Sequence, residues 1–396
     1  MLIPFRLSAM FAVVFAVVAV QLTFWPVWLA AQGLDAAGIG LIVSIGYWMR
    51  TVSDPLAGFV VDRTGSRRNA MVAVALIALG GALLFLTSRT TPVLFLASLL
   101  WAGAFAALVP LGDNLALLTA KARGLDYGRL RVWGSIAFVA STWLTARLLT
   151  DLPAEAILHT LLAGLAATVL ACLFLPEAPV AARPSDNAKA SPWPLLRHPV
   201  YLRFLLAAGM VQASHGVLYA FGSLHWRGLG LSSTTVGLLW IEGVAVEIAL
   251  FAFGRRIVDR LGAARLLLVA ALAGMVRWSL LAEAESVPWL VLAQALHGLT
   301  FGAAHLAAMR FVVEAVPSSH SATGQTLYSG LALGVGYGLS TAASGPLYAA
   351  LGGGAFLVMA GLCAVSAVTA WTLARHWTPG EPLRLPGVGD GARAGT

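Results

Sequence analysis

The chain has 396 residues, of which 59% are hydrophobic and only 11% are charged. Soluble domains average about 25% charged residues, so a chain this long and this apolar needs a lipid bilayer as its solvent. In a soluble protein the net charge of +8 would suggest a nucleic-acid partner. Here the basic residues lie in short gaps between apolar runs, which indicates membrane topology and no nucleic acid.

Twelve apolar runs are each long enough, at roughly 20 residues, to cross a membrane as a helix. The first is too long for the core of a signal peptide and has no evident cleavage site, so we expect it to be retained. The predicted fold is an all-α membrane protein with twelve transmembrane helices in two pseudo-symmetric six-helix halves. In chain order, helices 1 to 12 are predicted at about 6–31, 38–60, 69–88, 92–119, 130–150, 154–175, 200–225, 234–253, 266–283, 289–313, 322–348 and 354–374.

A polar, proline-rich segment between helices 6 and 7 divides the chain. We expect an N-terminal half at 1–176, a cytoplasmic linker at 177–199, a C-terminal half at 200–375 and a disordered cytoplasmic tail at 376–396. Twenty of the 25 basic residues fall on the side of the predicted helices that holds the N-terminus, against three on the other side. The positive-inside rule therefore predicts that both termini are cytoplasmic.

A charged loop with glycines follows helix 2, and a similar loop follows helix 8. The first reads GFVVDRTGSRR (58–68) and the second GRRIVDRLGAAR (254–265), and their aspartates, like their last glycines, are 197 residues apart. Such a loop is either a latch that forms in one of two conformations or a set of arginines that only holds the loop inside. The predicted gating residues are Gly58, Asp62, Arg63, Gly65, Arg67, Arg68, Asp259, Arg260 and Gly262.

The first loop resembles the motif between helices 2 and 3 of the major facilitator superfamily, G-x-x-x-D-R-x-G-R-R in outline, with Ser66 in place of one common arginine. Together with twelve helices and a central linker, the resemblance implies a secondary transporter of a bacterial cytoplasmic membrane. Its substrate site would lie between the halves, lined by helices 1, 4, 7 and 10. The sequence has no GxSxG, HExxH or Walker motif and no metal-ligand cluster, so we expect no enzyme activity, cofactor or metal.

Charged residues inside helices are costly in lipid and usually mark a pathway or an ion pair. Arg50 and Asp54 are four apart on helix 2 and are expected to pair along it. Asp113 on helix 4 and Arg131 on helix 5 either bind substrate or lock their two helices together.

The segment DYGRLRVWGS resembles the 3-phenylpropionate transporter branch and, more distantly, the lactose permease type of proton symporter. In that type an acid and an arginine at this spacing contact the sugar, which implies that Asp113 and Arg131 bind substrate.

In the second half, Glu247 on helix 8, Arg277 on helix 9 and His305 on helix 10 lie at similar predicted depths and are expected to meet. A buried carboxylate in such a group is either a proton site, whose proton affinity depends on whether the arginine is engaged, or one member of a static ion pair. From the residues alone both interpretations stay open.

Helices 9 and 10 also resemble the 3-phenylpropionate branch. His297 follows Arg277 by twenty residues, as the coupling histidine follows an arginine in lactose permease. Three residues further on, that permease has the carboxylate that carries the proton, whereas this chain has Thr300. The proton carrier is therefore predicted to lie elsewhere, with Glu247 as first choice and Glu242 as second.

Helix 7 carries Gln212, His215 and Tyr219 on one polar stripe, and helix 1 carries Gln21 and Trp25. Such side chains suit a small substrate with an aromatic ring and a polar group, although Trp25 fits an interfacial aromatic belt equally well. The full predicted substrate-binding set is Asp113, Arg131, Gln21, Trp25, Gln212, His215, Tyr219, Arg277 and His297.

The resemblance implies a secondary active transporter that works by alternating access, as a proton symporter for a small aromatic carboxylate such as 3-phenylpropionate. Arg131 or Arg277 would bind the carboxylate. The alternatives are a sugar or nucleoside proton symporter, a drug or metabolite exporter, and a membrane receptor. The expected partners are the small-molecule substrate, protons and the lipid bilayer, and the expected state is a monomer.

Overall fold

The computed structural model describes residues 2–177 and 191–385, except for the side chains of Asp62 and Arg255. Within these residues the chain forms twelve helices long enough to cross a membrane, six in each half. In the N-terminal half, helix 1 is Leu2–Thr23 with Trp25–Ala31, helix 2 is Ala36–Thr64, helix 3 is Arg67–Leu83 with the turn Leu84–Leu86, helix 4 is Thr91–Ala106 with Leu108–Arg123, helix 5 is Tyr127–Asp151 and helix 6 is Glu155–Leu173.

The C-terminal half repeats this arrangement after a short helix at Trp193–Leu196. Helix 7 is Pro199–Ala213 with Gly216–Gly228, helix 8 is Ser233–Phe253, helix 9 is Arg255–Glu283, helix 10 is Val287–Ala295 with Gly298–Ala303 and Ala304–Ala315, helix 11 is Ser321–Leu327 with Tyr328–Gly336 and Tyr337–Leu351, and helix 12 is Ala355–His376. Single turns at Ser318–His320 and Gly352–Gly354 connect the last three helices.

Ten segments are long and apolar enough to span a bilayer by length and composition. One of them, Ser318–His376, holds both helix 11 and helix 12, and the more charged helix 2 completes the twelve. Helices suit this role because each satisfies its own backbone hydrogen bonds where no water is present. The prediction of an all-α, twelve-helix membrane protein is confirmed.

Polar side chains in the connecting segments start several of the helices. The side chains of Asp35, Ser66, Asp126 and Ser232 accept hydrogen bonds from backbone amides two or three residues further on. These caps satisfy amides that have no partner within the helix, and they begin helices 2, 3, 5 and 8. Three of them lie in breaks that the sequence predicts, in QGLD, DRTGSRR and GLDYGR.

The two halves meet most closely at the end of the bundle opposite the two charged loops, which we call the far end; the end that carries those loops is the loop end. A Cβ atom built on Gly40 of helix 2 would lie 2.9 Å from the backbone nitrogen of Gly345 of helix 11. Nearby, the Ser223 hydroxyl of helix 7 donates to the backbone oxygen of Thr23 in helix 1. These contacts hold the halves together at the far end.

Residues 377–385 fold back on the loop end of the C-terminal half. Trp377 is buried, with its ring centroid 4.8 Å from that of Phe311, and the amide of Leu383 donates to the Ala315 oxygen at 2.7 Å. Buried apolar side chains in this stretch supply the contacts that a disordered segment lacks. The structure thus differs from the predicted disordered tail over 377–385, while 386–396 and 178–190 lie outside the described residues.

Candidate functional site

A cavity of about 730 Å³ lies between the halves. Its lining residues come from helices 1 and 5 on one side and helices 7, 8 and 10 on the other, and they extend from the middle of the bundle to Tyr127 and Phe251 near the loop end. Helix 4, expected to line the cavity, contributes none of them. The aromatic lining residues are Phe15, Tyr127, Phe138, Tyr219, Trp240, Phe251 and Phe301, and the charged or polar ones include Arg131, Ser135, Glu247, Gln294, His297 and His305.

Arg131 is the cation on the wall that the N-terminal half supplies. Its guanidinium lies over the ring of Phe15 at 3.8 Å, and its Nε lies 3.7 Å from Oδ1 of Asp113. The Tyr127 hydroxyl donates to the same carboxylate oxygen at 2.8 Å. The structure therefore brings Asp113 and Arg131 together, but Asp113 stands behind Arg131 and Tyr127 rather than on the cavity surface.

Glu247 faces this cation from the wall of the C-terminal half. Its Oε2 lies 3.6 Å from Nε2 of His297, and the Glu247 side chain is 20% exposed. Glu247 also interacts electrostatically with His305 and, across the cavity, with Arg131. The predicted group is thus present with one change, because His297 rather than Arg277 contacts Glu247.

Arg277 is fully buried behind this wall and is not among the cavity-lining residues. Its guanidinium also lies over the ring of Trp278, 4.5 Å from the centroid. No carboxylate within the described part of the chain lies within ion-pair distance of it. The hydrogen-bond contacts of its guanidinium are with the Ala293 oxygen (2.9 Å), Gln294 Oε1 (2.8 Å), Thr300 Oγ1 (2.8 Å), His297 Nδ1 (3.2 Å) and His215 Nε2 (3.3 Å).

The polar stripe of helix 7 points inward as expected. The Tyr337 hydroxyl of helix 11 donates to Gln212 Oε1 at 2.9 Å, and the rings of Tyr219 and Tyr337 are stacked at 5.8 Å. His215 contacts Arg277 and lies at the interruption between the two parts of helix 7. Of the three stripe residues, Tyr219 lines the cavity, and the other two are buried behind it.

Three predicted site residues lie away from the cavity. Trp25 stacks on Trp28 at 4.5 Å within a buried aromatic cluster at the far end, so it lies neither in the cavity nor in an exposed belt. Gln21 points towards Gly46 of helix 2. Glu242 is half-buried on helix 8 and is not among the lining residues.

The first charged loop closes on its own half. Gly65 ends helix 2 with φ 71°, a left-handed conformation that suits glycine. The Arg67 Nε donates to Asn114 Oδ1 at 2.7 Å, and the Arg68 Nε lies 3.3 Å from Glu177 Oε1. Every one of these residues belongs to the N-terminal part of the chain.

The rest of the loop motif is only partly described. Arg63 is exposed, and Gly58 has open space where a Cβ atom would be. The side chain of Asp62, the proposed centre of the latch, lies outside the described residues, so the latch stays a prediction.

The second loop also has a glycine with a positive φ. Gly262 interrupts helix 9 with φ 70° and ψ 171°, whereas Gly65 has φ 71° and ψ −1°. Oδ1 of Asp259 lies 3.2 Å from Nη1 of Arg310 of helix 10, and Arg260 is exposed. The two motif glycines thus share a positive φ, but their backbone conformations differ.

Several residues of the site were not predicted from the sequence. Tyr127 directly follows the helix cap Asp126, and its place in the DYG motif was the available signal. Gln294 and Phe301 lie on the same face of helix 10 as the predicted His297 and His305, three residues before and four residues after His297. That stripe was visible in the sequence, although its contact with Arg277 was not.

The chain matches the model of the MFS_1-like family over residues 5–358. It is 35% identical over 341 residues to the probable 3-phenylpropionic acid transporter of Escherichia coli (strain K12), covering 86% of this chain and 89% of that protein. It is 26% identical to the maltose permease of Geobacillus stearothermophilus, covering 88% and 89% of the two chains.

Among solved structures, the nucleoside transporter NupG superimposes with a TM-score of 0.85 at 19% identity, covering 95% of this chain and all of that one. At this identity the likeness concerns the fold. The family match, the relatives and the cavity between two six-helix halves agree with one another. The chain belongs to the MFS_1-like family of the major facilitator superfamily, and it is a multi-pass membrane transporter of a small molecule rather than an enzyme.

Proposed function

We propose that the protein is a proton symporter for a small aromatic carboxylate such as 3-phenylpropionate, and that it works by alternating access. The observation that carries the proposal is the position of Arg131: a cation within an aromatic wall of the cavity, facing Glu247 on the opposite wall. The relative named as a probable 3-phenylpropionic acid transporter supports the choice of substrate.

Arg131 is the group that binds the substrate carboxylate in this proposal. It is 28% exposed, and a guanidinium can hold a carboxylate through two parallel hydrogen bonds. Arg277, the other candidate, is fully buried and occupied by protein acceptors. The choice between the two arginines that the sequence left open therefore falls on Arg131.

The aromatic ring of the substrate would lie among the aromatic side chains further into the cavity. Tyr219 and Trp240 offer stacked faces there, with ring centroids 6.2 Å apart. A volume of about 730 Å³ lies within the range of about 300–1,000 Å³ typical of small-molecule sites. A largely apolar lining favours an aromatic acid over a sugar, whose hydroxyl groups each need a hydrogen-bond partner.

Glu247 carries the proton in this proposal. The positive charge of Arg131 acts on Glu247 across the cavity. A substrate carboxylate that binds Arg131 neutralises this charge, so substrate binding and proton uptake by Glu247 become linked. The N-terminal half then provides Arg131 for the substrate, and the C-terminal half provides Glu247 for the proton. Both groups belong to one chain, so the proposed function needs no partner subunit.

The loop end is assigned to the cytoplasm because twenty of 25 basic residues lie on that side of the predicted topology. Both termini are then cytoplasmic in a bacterial inner membrane. With the halves in contact at the far end and the cavity running towards the loop end, the conformation corresponds to the inward-facing state of the cycle. In the outward-facing state the charged loops would close the loop end.

Uptake of labelled substrates by bacteria that express the protein tests this function. Cells should accumulate 3-phenylpropionate, and a protonophore should abolish the accumulation; maltose and xanthosine serve as comparison substrates. Uptake of maltose or xanthosine without 3-phenylpropionate uptake would replace the substrate class. Accumulation that survives the protonophore would exclude proton symport.

A further inference from the structure

The contacts of Arg277 determine which nitrogen of His297 carries its hydrogen. A guanidinium only donates hydrogen bonds. Nη1 of Arg277 lies 3.2 Å from Nδ1 of His297, so that nitrogen must accept and bears no hydrogen. The hydrogen of the neutral ring is then on Nε2, the atom 3.6 Å from Oε2 of Glu247.

His215, on the other side of Arg277, has the opposite arrangement. Its Nδ1 lies 3.0 Å from the Gln212 oxygen and 3.2 Å from the Val211 oxygen, and backbone oxygens only accept. Nδ1 of His215 therefore carries the hydrogen. Its Nε2 lies 3.3 Å from both Nη1 of Arg277 and the Thr300 hydroxyl. Nη1 has two hydrogens, which go to Thr300 and His297, so the Thr300 hydroxyl is the donor to Nε2 of His215. All of these contacts are compatible with two neutral histidines around one arginine.

A second proton on His297 would have to be on Nδ1. That nitrogen would then be a donor facing a donor, and two positive charges would lie about 3 Å apart, with Arg277 fully buried and His297 only 8% exposed. Thr300 accepts from Arg277 without adding a negative charge, so nothing in this contact offsets the repulsion. The network therefore keeps His297 neutral while it directs Nε2–H at the carboxylate.

We propose that Arg277 is a positioning residue, not a substrate ligand: it fixes His297 as the Nε2–H tautomer aimed at Glu247, and it prevents His297 from taking the proton in place of Glu247. The proposal rests on the proposed function in assigning the transported proton to Glu247. It also gives Thr300 a role, as the neutral acceptor that leaves the charge of Arg277 in place.

Glu247, His297 and the groups around them come from five helices. Glu247 interacts with His297 and His305 of helix 10, Arg131 of helix 5 and Tyr219 of helix 7. His297 in turn contacts Arg277 of helix 9 and packs near His215 of helix 7, with ring centroids 5.8 Å apart. Of the histidines in contact with Arg277, His297 is the one that reaches Glu247.

Nitrogen NMR of the purified, histidine-labelled protein tests the tautomer without any substrate. The His297 signals, identified by their loss in His297→Gln, should show a protonated Nε2 and a bare Nδ1, and His215 should show the reverse. A protonated Nδ1 or an imidazolium at His297 in the wild-type protein would overturn the proposal. This measurement needs no Arg277 variant, so it holds even if such a variant fails to fold.

Transport by the full chain in liposomes tests the positioning role. Arg277→Gln should abolish the fixed tautomer and reduce proton-driven accumulation to the level reached without a pH gradient. The KM for substrate exchange should stay within about threefold of wild type, since under about 0.7 kcal/mol is lost when no ligand contact is removed. Arg277→Lys should restore part of the accumulation, and Arg227→Gln, which replaces an exposed arginine at the end of helix 7, should change nothing.

Two results would contradict the role of Arg277. An exchange KM raised as strongly as in Arg131→Gln would make it a substrate ligand. A His297 tautomer that stays fixed in Arg277→Gln would make it a packing residue only. Failure of the wild-type protein to transport 3-phenylpropionate would instead overturn the proposed substrate and leave the NMR result unaffected.

Discussion

The Nε of Arg131 lies 3.7 Å from Oδ1 of Asp113, and the two side chains remain 28% and 32% exposed. A partly exposed ion pair is weak, because solvent screens it and because holding both side chains in one conformation costs entropy. The Tyr127 hydroxyl also donates to Asp113, so the carboxylate keeps a partner if Arg131 turns towards the cavity. The pair thus holds Arg131 in place without occupying all of its donors.

Replacement of Arg131 tests its role as the carboxylate ligand. A hydrogen bond to a charged group contributes about 1.5–3 kcal/mol, so Arg131→Gln should raise the KM for 3-phenylpropionate about 10-fold to 100-fold. Arg131→Lys should fall between, since it keeps the charge but loses the planar fork. Initial uptake rates over a range of substrate concentrations measure the effect.

The control for this experiment is Arg147→Gln. Arg147 lies on the same helix and pairs with Asp151, but it is half-exposed and outside the cavity. Arg147→Gln should leave the KM for 3-phenylpropionate unchanged. An unaltered KM in Arg131→Gln, with normal amounts of protein in the membrane, would remove Arg131 from the substrate site.

The contact between Gly345 and helix 2 tests alternating access. A Cβ atom at Gly345 would lie 2.5 Å from the Ala36 oxygen and 2.8 Å from the Ala37 Cα, so Gly345→Ala should disfavour closure at the far end by about 1–3 kcal/mol. The population should shift towards the state open at that end. Gly330→Ala on the same helix, where a Cβ meets open space, is the matched control.

The shift can be measured with an impermeant maleimide on Ser135→Cys, a cavity position, since the native Cys172 and Cys363 are buried. Gly345→Ala should slow labelling from the loop end and speed labelling from the far end. Equal labelling of Gly345→Ala and Gly330→Ala would show that closure at this glycine does not control access.

The charged loop provides a test of the latch. Asp62→Asn should slow the transport cycle while substrate binding stays intact, because a gate alters the exchange between states and not the site. Glu177→Gln removes the partly exposed partner of Arg68 and should have little effect. Loss of substrate binding in Asp62→Asn would count against a gating role, and an equal slowing in both variants would reduce the loop to a set of surface charges.

The sequence was most informative about the helices and their ends. Apolar runs set the twelve helices, and Asp35, Ser66 and Asp126 cap helices where polar breaks were expected. Local residue chemistry determines these features, so they can be predicted without a fold. The interruptions of helices 7, 10 and 11 depend on packing between helices, and no proline marked them in advance.

The site was less predictable because it depends on how each helix is rotated. Helix 1 turns Phe15 towards the cavity and Gln21 towards helix 2, a choice that spacing alone does not reveal. Arg277 was expected to meet Glu247 directly, yet partners from helices 7 and 10 enclose it and His297 stands between. Matching residues by their predicted depth in the membrane showed which residues lie near Glu247, but it did not predict which of them contact it.

Proton-driven accumulation of 3-phenylpropionate in liposomes, compared between the wild-type protein and Glu247→Gln, tests the central claim most directly. Glutamine keeps the shape of the side chain and cannot release a proton. With an imposed pH gradient the wild-type protein should concentrate the substrate, whereas Glu247→Gln should still exchange it across the membrane and fail to concentrate it. Gradient-driven accumulation by Glu247→Gln equal to that of the wild-type protein would contradict the account.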